Sequence, residues 1–69
     1  MPLGGVVNLN TATADDLDRL PGIGPIRAQA IINYRIRKGR FTSVDDLLAV
    51  DGIGPATVDQ LRPLVTVSG

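Results

Sequence analysis

Two identical Gly-Ile-Gly-Pro runs, Gly22–Pro25 and Gly52–Pro55, carry the residue types in this sequence best suited to chemistry. Each is placed to open a helix. Successive backbone amides at such a turn, with no side chain on either glycine, form a concavity that attracts anions, because unpaired N–H groups and the helix dipole both point at the ligand. Gly22 and Gly52 fit a residue of positive φ at a helix end. Gly24 and Gly54 permit a phosphate oxygen to approach the backbone closely and start the next helix. Pro25 and Pro55 follow at the first helical position, where a missing amide costs nothing, and Ile23 and Ile53 are expected to anchor each turn to the core. A single such turn is an ordinary helix cap. Two of them, related by a pseudo-twofold axis, could hold phosphates on both strands of a duplex. Contacts of that kind fix position without reading sequence and weaken as salt rises.

The charges support an anionic partner by their distribution and not by their sum. Seven basic residues balance seven acidic ones, which taken alone argues mildly against nucleic acid. However, Arg27, Arg35, Arg37, Lys38 and Arg40 form a stretch free of acids. The aspartates lie elsewhere, at Asp15, Asp16, Asp18, Asp45, Asp46, Asp51 and Asp59. The chain has no cysteine and no histidine, which excludes disulfides and thiolate metal sites and removes the commonest general base. No nucleophile–base pair, metal cluster or Walker-type loop is present, and Gly-Ile-Gly is not the dinucleotide fingerprint. No enzyme, cofactor, metal site or small-molecule substrate is therefore expected.

The elements that must position these turns follow from an internal repeat. At an offset of thirty residues, Asp15-Asp16-Leu17 falls on Asp45-Asp46-Leu47 and Gly22-Ile23-Gly24-Pro25 on Gly52-Ile53-Gly54-Pro55, with Thr13 matching Ser43, Leu20 matching Val50 and Ile31 matching Leu61. Each half reads as helix, tight turn, helix. Thr13 and Ser43 are N-caps, each followed by an acid at the third position in a variant of the capping box. The paired aspartates then occupy the first helical turn, where the dipole favours negative charge, and neighbours one apart make a poor acid–base pair. The leading helices span about residues 14–20 and 44–50. The long helix spans about 25–38, with Ala28, Ile31, Ile32 and Ile36 as its buried stripe. Arg35 falls within that stripe, so its stem is expected along the core rim with its head in solvent. Arg27, Tyr34 and Lys38 share an adjoining face. Phe41 plugs the core beneath the linker. The last helix, about 55–62, buries Val58 and Leu61 and stops before Pro63; Leu64 closes the core.

The expected fold is all-α: a tandem helix-hairpin-helix, SAM-domain-like, with about four short helices in two pseudo-twofold-related units. Residues 1–6 read as an artificial start or linker stub, 7–64 as the domain (first unit about 13–38, second about 43–64) and 65–69 as a frayed tail. No stretch is apolar and long enough to cross a membrane.

The succession Val7-Asn8-Leu9-Asn10-Thr11-Ala12, Asp16-Leu17, Leu20-Pro21-Gly22-Ile23-Gly24-Pro25, Ala28, Ala30-Ile31-Ile32, Tyr34-Arg35, Gly39, Phe41, Asp46-Leu47 and Gly52-Ile53-Gly54 resembles the tandem helix-hairpin-helix domain of the ComEA competence family over about 7–64. The resemblance implies the DNA-binding module of a receptor that takes up double-stranded DNA in natural transformation. Such a module works outside the cytoplasmic membrane, on a longer membrane-anchored parent and alongside other DNA-uptake proteins. It also implies DNA-facing roles for Gly22, Gly24, Ile26, Arg27, Gly52, Gly54, Ala56 and Thr57, to which the basic segment adds Lys38 and Arg40. One departure matters. Where relatives often have a lysine soon after the second turn, this chain has Ala56 and Thr57. With Arg27 assigned to the first turn and Asp51 and Asp59 flanking the second, the first is expected to bind more strongly. Two other readings stand beside this one: a protein-interaction or scaffolding module, favoured by zero net charge, and an accessory domain in DNA repair.

Overall fold

The computed structural model describes residues 6–67, and the expectations for residues 1–5 and 68–69 lie outside it. Helix α1 spans Ala14–Asp18, α2 spans Gly24–Lys38, a 3-10 helix spans Val44–Ala49, and α3 spans Pro55–Leu61. The chain then makes a 3-10 turn, Arg62–Leu64. Two short strands, β1 (Val7–Asn8) and β2 (Val65–Thr66), pair in parallel with Val7 opposite Val65 and Asn8 opposite Thr66.

The repeat is visible in the backbone itself. In the first unit the amide of Leu20 donates to Leu17 O (3.0 Å) and that of Ile23 to Leu20 O (3.2 Å); in the second, Val50 donates to Leu47 O (3.0 Å) and Ile53 to Val50 O (3.2 Å). Leu17, Leu20, Ile23, Leu47, Val50 and Ile53 are all buried, so each hairpin hangs from the core by the same apolar residues.

The caps form as the residue types dictate. Thr13 Oγ1 accepts from the amide of Asp16, and Asp16 Oδ2 accepts from the amide of Thr13, both at 3.2 Å. In the second unit the Asp46 carboxylate accepts from the amide of Ser43 (3.3 Å) and also from the amide (2.8 Å) and hydroxyl (2.9 Å) of Thr42. Thr42 stands where the first unit has Ala12, and this extra grip accompanies a tighter winding: Asp46 N bonds to Ser43 O, three residues back, whereas Leu17 N bonds to Thr13 O, four back.

The donated hydrogen bonds hold the Asp46 carboxyl below the usual carboxylate pKa, the Thr42 amide contributing most and its hydroxyl next. A depressed pKa means that stability is present above the unfolded value and lost as pH falls through the folded one. Asp46→Asn is therefore expected to lower stability at neutral pH. The difference should close on acidification below the ordinary aspartate value of about 3.9, as read by paired denaturant titrations across that range. A gap that stays constant into strong acid would contradict this origin.

Three expectations are corrected. First, Ile36 is 72% exposed. The buried face of α2 runs through Ala28 and Ile31 to Arg35, and Ile36 lies about 100° around from Arg35 on a helix of about 3.6 residues per turn. Second, the Arg35 head is not in solvent. Its Nη1 donates to the carbonyls of Leu9 (2.8 Å) and Ala12 (3.0 Å), hooking the N-terminal segment onto α2. Third, Val65 and not Leu64 closes the core: the 3-10 turn leaves Leu64 half-exposed and buries Val65, and Val65–Thr66 is a paired strand, not a frayed tail. The architecture is thus mostly helical with one parallel strand pair joining its two ends.

Asn10 ties that junction together. Its Nδ2 donates to Phe41 O and Val67 O, both at 3.0 Å, and its Oδ1 accepts from Phe41 N at 2.7 Å. Phe41 is fully buried, and its ring stacks on Tyr34 at 4.9 Å.

Candidate nucleic-acid interface

Three of the four hairpin glycines adopt the left-handed backbone that glycine alone enters freely: Gly22 at φ 78°, Gly24 at 66° and Gly52 at 88°. Gly54 differs, with an ordinary φ of −108°. Gly24 and Gly54 face open space, with no atom within 4 Å of where a Cβ would stand. These two positions leave the backbone approachable, as a phosphate oxygen requires.

Gly22 and Gly52 are approached instead, each by the other unit. A methyl group on Gly22 would lie 3.7 Å from Thr57 Cγ2 and 3.8 Å from Gln60 Oε1, both on α3. A methyl group on Gly52 would lie 3.2 Å from Arg27 Nε and 3.6 Å from its Cγ, on α2. Arg27 and Thr57 are equivalent positions of the thirty-residue repeat. Each unit therefore lays the same helical position across the opposite hairpin, which sets Gly22, Arg27, Gly52 and Thr57 side by side.

The crossing changes the charge assignment. Arg27 Nε donates to Gly52 O at 2.7 Å, so the cation sits on the second hairpin, the one expected to lack it. Asp59 is also less isolated than its position suggests. Arg62 Nε pairs with it at 3.3 Å, and Arg62 Nη2 pairs with Asp45. These carboxylates raise the Arg62 pKa further, Asp45 contributing most. Both reasons for ranking the first hairpin above the second are weakened, leaving Asp51. That residue lines a groove of about 370 Å³ with Asn33, Arg37 and Val50, between α2 and the second hairpin.

The ion pairs among the described residues all belong to Arg62. Among the described residues no carboxylate pairs with the basic segment: Arg27 and Arg35 bond to backbone carbonyls, and Arg40 reaches Val67 O at 3.4 Å. Ile26 and Ala56 are exposed at the starts of α2 and α3, Ile26 at 83%. Lys38 is exposed but stands about 17 Å from Arg27 along α2, at about 1.5 Å per residue, and Arg40 lies beyond it. The structure thus gathers the two hairpins with Arg27 and Thr57, and leaves Lys38 and Arg40 at the far end of the helix. Gln60 also reaches this junction, and the sequence carries no signal for it beyond the repeat offset that makes Arg27 and Thr57 equivalent. Among the described residues no group of acids could hold a metal ion, and no helix is long and apolar enough to cross a membrane.

A fold of two hairpins crossed in this way matches a known class. Residues 4–66 match the model of the helix-hairpin-helix motif, and the chain belongs to that family. It is 42% identical over 64 residues to ComE operon protein 1 of Bacillus subtilis (strain 168), covering 93% of this chain and 31% of that protein. It is 46% identical over 57 residues to an uncharacterized protein of Haemophilus influenzae, covering 81% of this chain and 51% of that one. It is also 39% identical over 62 residues to the human endonuclease/exonuclease/phosphatase family domain-containing protein 1, covering 90% of this chain but 11% of that protein. The chain thus spans between about a tenth and a half of the length of these relatives.

Proposed function

We propose that this chain binds double-stranded DNA through its phosphate backbone, without regard to sequence, as the DNA-binding module of a DNA-uptake receptor. The observation that carries this reading is the juxtaposition of the two hairpins, Gly24 and Gly54 open and Arg27 at their junction. Backbone amides and one guanidinium recognise a phosphodiester but offer no pattern that distinguishes base pairs. Lys38 at the far end of α2 and Arg40 just beyond it supply outer contacts to the same backbone. The kinship with ComE operon protein 1 supports the uptake role, and with it a setting outside the cytoplasmic membrane on a longer anchored protein, among other DNA-uptake proteins.

Two short duplexes of unrelated sequence, titrated in parallel, test this. Equal affinities are expected. A large preference for one duplex would contradict backbone recognition, and no binding to either at low salt would overturn the proposal.

A second reading, docking to a protein, is favoured by Ile36, which is 72% exposed and lines the groove between α2 and the second hairpin. It predicts that Ile36→Ser leaves duplex affinity unchanged while weakening a protein partner.

A further inference from the structure

Arg27 projects from the first turn of α2, yet its Nε is committed to the carbonyl of Gly52 in the other unit. That bond uses one of the five donors of the guanidinium fork. The two terminal nitrogens make no hydrogen bond or ion pair among the described residues, and the side chain is exposed. Because the group is planar, holding Nε on Gly52 restricts where the terminal nitrogens can lie, and less freedom is lost when they bind a second partner. Glycine is favoured at residue 52 by its φ of 88°, and a Cβ there would stand 3.2 Å from Arg27 Nε, so a side chain would press on the arginine that reaches across. Thr57, the equivalent residue on α3, turns its Cγ2 methyl towards Gly22, 3.7 Å from where a Cβ there would stand, so the crossing has one charged arm and one apolar one.

We propose that Arg27 is shared by the two hairpins: its Nε holds the second hairpin in register with the first, and its terminal nitrogens take one phosphate of the bound backbone at the junction between them. This rests on the DNA-binding reading and adds to it a single charged residue on which both hairpins depend. The one positive charge thus serves the hairpin that lacks a cation of its own. A lysine does not reproduce this arrangement, because one ammonium cannot reach a carbonyl and a phosphate in a fixed plane.

Arg27→Lys and Arg27→Ala test the two halves separately. In the free protein, both changes are expected to move the amide resonances of Gly52, Ile53 and Gly54 in addition to those flanking residue 27, with the remaining resonances and the melting temperature nearly unchanged. Unmoved resonances would overturn the brace whether or not DNA binds. In duplex titrations over several salt concentrations, Arg27→Lys is expected to bind about tenfold more weakly than the parent, despite its equal charge. Arg27→Ala should in addition flatten the salt slope by about 0.9, the loss of one phosphate contact. Parent-like affinity in Arg27→Lys would overturn the shared role. A parent chain that binds no duplex would overturn the DNA-binding reading and the phosphate half with it, leaving the resonances to decide the brace.

Discussion

Phe41→Ala is expected to leave little folded protein at physiological temperature. The ring is fully buried between the two units and stacks on Tyr34 at 4.9 Å, and truncating a core phenylalanine costs about 3–5 kcal/mol. A core in a chain this short rarely supplies more than about 3–5 kcal/mol in total, so this one substitution removes most of the margin. The backbone at Phe41 is also where Asn10 joins the linker to Val67, next to β2, and a cavity there loosens the strand pairing at the same time. Thermal melts followed by circular dichroism check this. A cooperative transition within a few degrees of the parent would show that Phe41 does not unite the two units.

The second large effect falls on binding and not on stability. Gly54→Glu is expected to weaken duplex affinity about thirtyfold, roughly 2 kcal/mol, because it sets a carboxylate where the phosphate must come. The position makes the test clean. Gly54 has an ordinary φ of −108° and nothing within 4 Å of its missing Cβ, so the new side chain meets neither strain nor a clash. The melting temperature should therefore stay close to the parent's, and Gly54→Ala, which adds bulk without charge, should lose less affinity. Gly24→Glu makes a poorer comparison, because Gly24 sits at φ 66° and any side chain there strains the turn. Parent-like affinity in Gly54→Glu would remove the second hairpin from the interface.

The parts of this molecule legible in its sequence are those governed by near neighbours. The capping residues Thr13 and Ser43, the positive φ of Gly22 and Gly52, and the inward Ile23 and Ile53 follow from local chemistry repeated twice at one spacing. What escapes is a side chain that bonds to a distant backbone carbonyl, because no residue type at the receiving end announces it. Arg35 on Leu9 and Ala12, Arg27 on Gly52, and Asn10 on Phe41 and Val67 are all of this kind. Adjacency in the sequence puts Arg27 on its own hairpin and periodicity puts Ile36 in the core; in the first case the side chain is long enough to cross to the other unit, and in the second the buried face is centred one residue earlier. The strands Val7–Asn8 and Val65–Thr66 are two residues each, too short for alternation to register, and they form because the fold brings these two distant segments together.

Recognition of the phosphate backbone shows itself in the dependence of duplex affinity on salt. Log affinity plotted against log salt should be linear and descending at roughly −0.9 per phosphate. For the few contacts that two hairpins, Arg27 and the outer basic residues can make, the slope should lie between about −2 and −4, with an unrelated acidic polymer held less tightly than the duplex. A flat line, or equal affinity for that polymer, would contradict the account.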